Sequence, residues 1–314
     1  MKKIIRLITL LLCVCLASAC FSGCGKDLEG KIEISGDKIT LEEANSFVEQ
    51  RKIDYPQDEE GLPKEEWFNI EISFKLYAKL PNELVDSSME NPERITEIKL
   101  IGKVGFIDEN NMALDLQINA DIESIDPSNN EAFSLNGRLI LVDEVYYIDL
   151  VKTKAEDGGE KDENIKKMGK KDILDEFEGL QDAMLIIEDY VNCEYNPDTF
   201  KAISVSENGE IYTDDTNSIF TFYKAEDKIF AEQKTNFFFL GSGFKDIIQY
   251  EFEFEKDSSL IKTKRVYTRN YMKVNFKVES LTINTLFDSE VYIQMQRIDP
   301  IVIVAPDLEG YEQA

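Results

Sequence analysis

The sequence predicts a mainly β protein of the α+β kind. It has one large antiparallel sheet of stacked hairpins, one long helix packed on it and a short N-terminal helix. Three observations predict this. Met112, Leu114, Leu116, Ile118, Ala120 and Ile122 alternate with Asp115, Gln117, Asn119 and Asp121, which is the period of a half-buried strand. The segment Gly102-Lys103-Val104-Gly105-Phe106-Ile107-Asp108-Glu109 returns 35 residues later as Gly137-Arg138-Leu139-Ile140-Leu141-Val142-Asp143-Glu144. Asp-Glu ends each copy and a further strand follows (112–122, then 145–151), so the same hairpin is laid down twice. Finally, Ile173, Phe177, Leu180, Met184, Ile187 and Val191 step by four and three, predicting an amphipathic helix over 171–191 between two strand-rich halves.

The remaining elements follow in order. Thr40-Leu41-Glu42-Glu43 is a capping box that opens a short helix with Leu41, Ala44, Phe47 and Val48 as its apolar stripe. Asp54-Tyr55-Pro56 ends it, and 57–66 is an acidic connector. In the second half Ile248, Tyr250, Phe252 and Phe254 alternate with Gln249, Glu251, Glu253 and Glu255. A four-residue turn at Lys256-Asp257-Ser258-Ser259 would set Glu253 against Lys262, Glu251 against Lys264 and Phe254 against Ile261, matching charge with charge. Met272, Val274, Phe276 and Val278 mark another strand, with further strands expected at 290–298 and 301–304.

Composition limits the chemistry. The chain has 314 residues, 62 acidic and 35 basic side chains, a net charge of −27 and no histidine. That excludes Ser-His-Asp and Cys-His relays and histidine-bearing zinc sites. The acidity argues against nucleic acid as a partner, since binding needs a basic footprint on the phosphates. Ser242-Gly243-Phe244-Lys245 has the Ser-x-x-Lys spacing of penicillin-binding enzymes, but their Ser-Asp-Asn and Lys-Thr-Gly partners are absent. No segment carries a calcium-loop pattern. A non-enzyme with no metal and no cofactor is expected.

The N-terminus suggests a compartment. Lys2, Lys3 and Arg6 flank an apolar run from Ile4 to Ala19, which is too short to span a bilayer comfortably and has the form of an export signal. Ser22-Gly23-Cys24-Gly25-Lys26 then resembles the lipobox of bacterial lipoprotein precursors. That resemblance implies cleavage before Cys24, acylation of its sulfur, and an extracytoplasmic domain anchored to the membrane by acyl chains. Phe21 departs from the leucine common at that position. Cys20, after Ala17-Ser18-Ala19, is the competing site, and plain secretion after Ala19 is the other alternative. Cleavage before Cys24 would leave Cys193 as the one other cysteine, a small buried hydrophobe rather than a disulfide partner. Loss of Lys2, Lys3 and Arg6 takes the charge from −27 to −30.

The expected organisation is therefore a signal peptide (1–23), a tether (24–38), a short helix and connector (39–66), one β-rich domain (67–305) and a tail (306–314). The order of elements over about residues 38–305 resembles the lipoprotein-carrier fold of the LolA/LppX type. The resemblance implies a strongly curved sheet around helices, often enclosing an apolar ligand. On that basis a lipid-like molecule would lie between helix 171–191 and the second-half sheet, lined by Phe177, Met184, Phe237, Phe239, Phe252, Phe254 and Phe276. The alternative is an envelope scaffold or interaction lipoprotein with no small-molecule ligand. The basic residues Lys256, Lys262, Lys264, Arg265, Arg269, Lys273 and Lys277 are expected to pair across strands with the glutamates of 251–255, the alternative being a patch for an anionic ligand.

Overall fold

The computed structural model describes residues 28–55, 65–80, 92–107, 111–124, 131–156, 159–176, 195–200, 202–205, 211–214, 220–239, 242–256, 258–278 and 281–313. In chain order its strands are β1 (Asp37–Ile39), β2 (Glu66–Lys79), β3 (Glu93–Phe106), β4 (Met112–Glu123), β5 (Ala132–Val142), β6 (Val145–Glu156), β7 (Gly159–Gly169), β8 (Ala202–Val205), β9 (Ile211–Asp214), β10 (Thr221–Ala225), β11 (Lys228–Phe239), β12 (Ser242–Phe254), β13 (Ile261–Val278), β14 (Leu281–Ile298) and β15 (Glu312–Gln313). β8 and β9 pair only with each other. The rest form one open 13-stranded sheet, ordered β1-β10-β11-β12-β13-β14-β2-β3-β4-β5-β6-β7-β15.

Two meanders, β2 to β7 and β10 to β14, are fused where β14 pairs with β2 along thirteen residues from Lys79↔Leu286 to Trp67↔Ile298. Neighbours run antiparallel except β7 and β15, whose pairing is parallel. Each edge of the sheet ends in a short strand from one end of the chain, β15 pairing only with Lys167 and Met168 of β7.

The register explains why these strands share one sheet. A single row across twelve strands reads Ile39, Phe222, Ala231, Tyr250, Val266, Ile293, Ile72, Leu100, Ile118, Gly137, Leu150 and Ile165. Apart from one glycine it is apolar throughout. The next row belongs to the opposite face and reads Phe230, Glu251, Arg265, Gln294, Glu71, Ile101, Gln117, Arg138, Asp149 and Lys166. Alternation within each strand thus makes one apolar face and one charged face.

The repeated hairpins are equivalent neighbours. Gly102 pairs with Leu116 and Lys103 with Asp115, while Gly137 pairs with Leu150 and Arg138 with Asp149. A Cβ on Gly102 would come within 2.0 Å of the Asp115 carbonyl oxygen, and one on Gly137 within 2.0 Å of the Asp149 carbonyl oxygen. Both glycines therefore allow a close approach of adjacent backbones. Asp143 and Glu144 form the two-residue turn between β5 and β6, with φ of 52° and 62°. In the first copy Asp108 and Glu109 lie outside the described residues, but the Ile107 N–H donates to the Asn111 carbonyl at 2.8 Å and closes the loop there.

The short helix is α1 (Leu41–Asp54), and it carries the expected capping box. The Glu43 N–H donates to the Thr40 hydroxyl at 3.1 Å, and the Thr40 N–H donates to the Glu43 carboxylate at 2.7 Å. Ala44 and Val48 are buried against the apolar face, with Leu41 and Phe47 beside them.

Several expectations need correction. The start of the 171–191 segment is a six-residue 3-10 helix, Lys171–Glu176, that buries the adjacent Ile173 and Leu174 in the core. Its tighter winding follows directly on the end of β7. Residues 177–191, including Phe177 and Met184, lie outside the described residues. Residues 301–304 are extended but belong to no ladder, because after Pro300 the chain leaves β14 and crosses the charged face. Glu251 opposes Arg265, not Lys264, because a bulge slips the register between Glu251 and Phe252. Finally, the stretch expected as tether is applied to the sheet from Leu28 onward, with Ile32 buried at 3% exposure.

Candidate functional site

The apolar face holds two packed clusters. The larger spans β2 to β6 with β13, β14 and the 3-10 turn. Val104, Leu114, Ile148, Leu174 and Ile293 are fully buried there. Complete burial contributes about 1.5–3 kcal/mol for each such side chain. The smaller cluster lies where α1 and a second 3-10 turn, Pro197–Phe200, cover β10 to β12. Tyr250 packs against both clusters.

The smaller cluster is an aromatic knot. Phe200 meets Phe220, Phe222, Tyr250 and Phe252 nearly edge-on, at centroid distances of 5.0, 5.3, 5.8 and 5.9 Å. Tyr195 stands edge-on to Phe252 at 5.3 Å, and its hydroxyl donates to the Asn45 side-chain oxygen on α1 at 2.8 Å. Burial drives the Tyr195 phenol well above its ordinary range. Phe254 packs edge-on against Phe47 at 5.4 Å.

These positions bear on the expected ligand lining. Phe252 and Phe254 come together in the knot and are 1% and 4% exposed, each occupied by ring contacts. Phe237 and Phe239 fall on β11 opposite Phe244 and Ser242, and Phe276 falls on β13 opposite Ile283. The side chains of those three lie outside the described part of the structure, as do Phe177, Met184 and Cys24. Sequence reading missed Tyr195 and Phe200 because they stand in an irregular Asn-Pro-containing stretch with no periodicity to flag them. Their signal was only that aromatic residues are dense there.

Along the apolar face the strands become more polar toward one end. Asp246 opposes Asn270, two residues along from the Ile248 and Thr268 pair. It is 8% exposed, and burial pushes its carboxyl up to about 6.

The charged face is built of ion pairs between strands. Arg138 forks to both Asp115 oxygens at 2.6 Å, and Arg269 forks to Asp288 at 2.8 and 2.9 Å. Lys75 meets Glu97 and Lys99 meets Glu71, each at 2.8 Å. The basic residues of β13 do pair across strands, but with partners beyond 251–255. Lys264 holds Glu253 and Arg265 holds Glu251, whereas Lys262 reaches Glu66 and Arg269 reaches Asp288. A hollow of about 440 Å³ opens on the same face between Ile101, Lys103, Asp115, Gln117 and Arg138, over Gly102 and Gly137.

The Ser-x-x-Lys spacing falls on β12. There residues three apart point to opposite sides of the sheet, so Ser242 and Lys245 are separated by the strand itself. The Ser242 hydroxyl instead accepts from the Asn275 N–H at 3.0 Å. Among the described residues no group of three or more His, Cys, Asp or Glu side chains could hold a metal ion. No described helix is long and apolar enough to cross a membrane. No protein-family model matches the chain, and no curated protein matches it.

Proposed function

We propose that this protein is an exported bacterial lipoprotein, acylated at Cys24, non-catalytic, and holding a hydrophobic lipid-like molecule against the apolar face of its sheet. The observation that carries the reading is the breadth of that face. One row is apolar, a single glycine apart, across twelve strands. The described elements covering it are a 14-residue helix and two 3-10 turns of six and four residues. A face of that extent would suit an elongated greasy ligand, as the carrier-fold resemblance implies. Because Phe222, Val266, Ile293, Ile72, Leu100, Ile118 and Leu150 are already buried, the ligand would take the place of part of what covers them.

The scaffold reading has an observation of its own. Phe252 and Phe254, two of the residues expected to line a ligand, are filled around by Tyr195, Phe200 and Phe47. Native mass spectrometry of protein extracted from membranes in mild detergent separates the readings. A lipid-sized adduct in addition to the acyl chains on Cys24, lost on organic extraction, supports the carrier. A mass equal to acylated protein alone leaves the scaffold.

A further inference from the structure

We infer that the charged face of the sheet is the face laid against the membrane, with Val302 and Val304 reaching the lipid interface. The inference rests on acylation at Cys24. Two observations carry it, and the charge pattern is consistent with it.

The chain leaves the sheet on this side. Leu28, Ile32 and Ile34 pack on Phe230, Ile247 and Tyr267, which belong to the charged-face series. The Ile32 N–H donates to the Gln249 side-chain oxygen at 2.9 Å, and Lys31 lies over the Tyr292 ring at 4.5 Å and 3.4 Å from Glu290. Cys24 is four residues before Leu28, and even a fully extended chain spans only about 14 Å over that length. An acyl anchor there holds this face close to the bilayer.

The C-terminal segment crosses the same face. Ile301 and Ile303 pack on Trp67, Ala113 and Ile140. Alternation then turns Val302 and Val304 outward, where they are 87% and 73% exposed. The segment continues to Tyr311, edge-on to Tyr147 at 5.9 Å, and to β15 beside β7. They are the two most exposed large apolar side chains among the described residues, ahead of Ile53 on α1 at 72%, and a lipid interface would take them out of water.

Charge does not oppose this side. The row Glu251, Arg265, Glu71, Arg138, Asp149 and Lys166 alternates in sign. The chain as a whole carries −27. A face whose charges alternate in sign is repelled less by an anionic surface than the chain's net charge would suggest. On the other side, α1 covers the apolar face and has exposed Ser46 on its outer surface.

The test uses full-length protein purified from bacterial membranes and reconstituted in phosphatidylcholine/phosphatidylglycerol vesicles containing brominated lipid. Flotation of the parent and of Cys24→Ala reads the anchor. Quenching of Val304→Trp and Ser46→Trp fluorescence, above the Trp67 background, reads the orientation. Cys24-dependent flotation with several-fold stronger quenching at 304 than at 46 is the expected result. Cys24-dependent flotation with equal quenching, or stronger quenching at 46, overturns the orientation alone. Flotation that ignores Cys24→Ala, or no flotation, overturns the anchor and this inference with it. Val304→Asp covers the case in which tryptophan disturbs the segment: it should keep the protein on vesicles but raise protease access to 299–310, and unchanged access counts against the contact.

Discussion

Arg265 stands directly opposite Glu251 across β12 and β13, and its guanidinium holds a carboxylate that has no exposure to solvent. Lys228 on β11 holds the other oxygen at 2.7 Å. Burial alone would raise the Glu251 carboxyl, but its hydrogen bonds and charge interactions with Arg265 and Lys228 outweigh that and keep it below the usual range. The bulge that slips the ladder at Lys264 produces this pairing.

The two partners should respond unequally to mutation. Arg265→Met leaves a buried anion with half its support and should cost about 3 kcal/mol. Glu251→Met leaves two cations that keep 28% and 32% exposure and can turn to water; it should cost about 1 kcal/mol. Urea unfolding of both variants checks the order. Equal losses would show that burial of Glu251 does not dominate the pair.

The Asp143-Glu144 turn places two non-glycine residues at positive φ. Both positions suit Asn-Gly, which adopts the mirror-image turn of a tight hairpin without strain at the second residue. Asp143→Asn with Glu144→Gly should raise stability by about 1 kcal/mol. A lower melting temperature would mean that the side chains earn their place by contacts outside the turn, such as that of Glu144 with Lys170 at 3.7 Å.

Gly102 and Gly137 offer a paired test of the repeat. A methyl group at either would strike the carbonyl of the next strand, Asp115 or Asp149, at the same distance. Gly102→Ala and Gly137→Ala should each cost about 2–3 kcal/mol, as overpacking does in a tight interior. If one is neutral and the other severe, the two hairpins are not mechanically equivalent.

How much of this was legible follows from which forces act locally. The capping box at Thr40 and Glu43, the strand at 112–123 and the Gly-basic hairpins are set by neighbours in the chain, and the sequence displays them. The seam between β14 and β2 joins residues more than two hundred positions apart, and nothing local marks it. The slip at Lys264 arises because ladder geometry and the needs of a buried Glu251 compete with simple alternation, so counting by two gave the wrong partner. Ile301–Val304 alternates as a strand would, yet one of its sides packs on the sheet without pairing in it. Of the expected ligand lining, Phe252 and Phe254 were recognisable as inward residues, but their ring partners Tyr195 and Phe200 sit where no period runs.

Asp246 sets the last prediction, because its burial is not offset as that of Glu251 is. It sits on β12 opposite Asn270, toward the polar end of the apolar face. Its carboxyl is raised from 3.8 to about 6 by burial. Between those values the folded protein holds a proton that the unfolded chain has released. Stability from this group is therefore full below pH 3.8 and falls as pH rises through about 6. The loss amounts to about 3 kcal/mol at most. Glu251 acts in the opposite sense, since a lowered carboxyl stabilises above its unfolded value of 4.5 and loses that stability in acid. The difference between parent and Asp246→Asn isolates the first effect. The variant should match the parent near pH 3.5 and gain on it steadily toward pH 7, where the gap levels off. Thermal or urea unfolding across pH 3.5–7.5 measures that gap. A constant offset at every pH would show that Asp246 ionises in the folded protein as readily as in the unfolded chain.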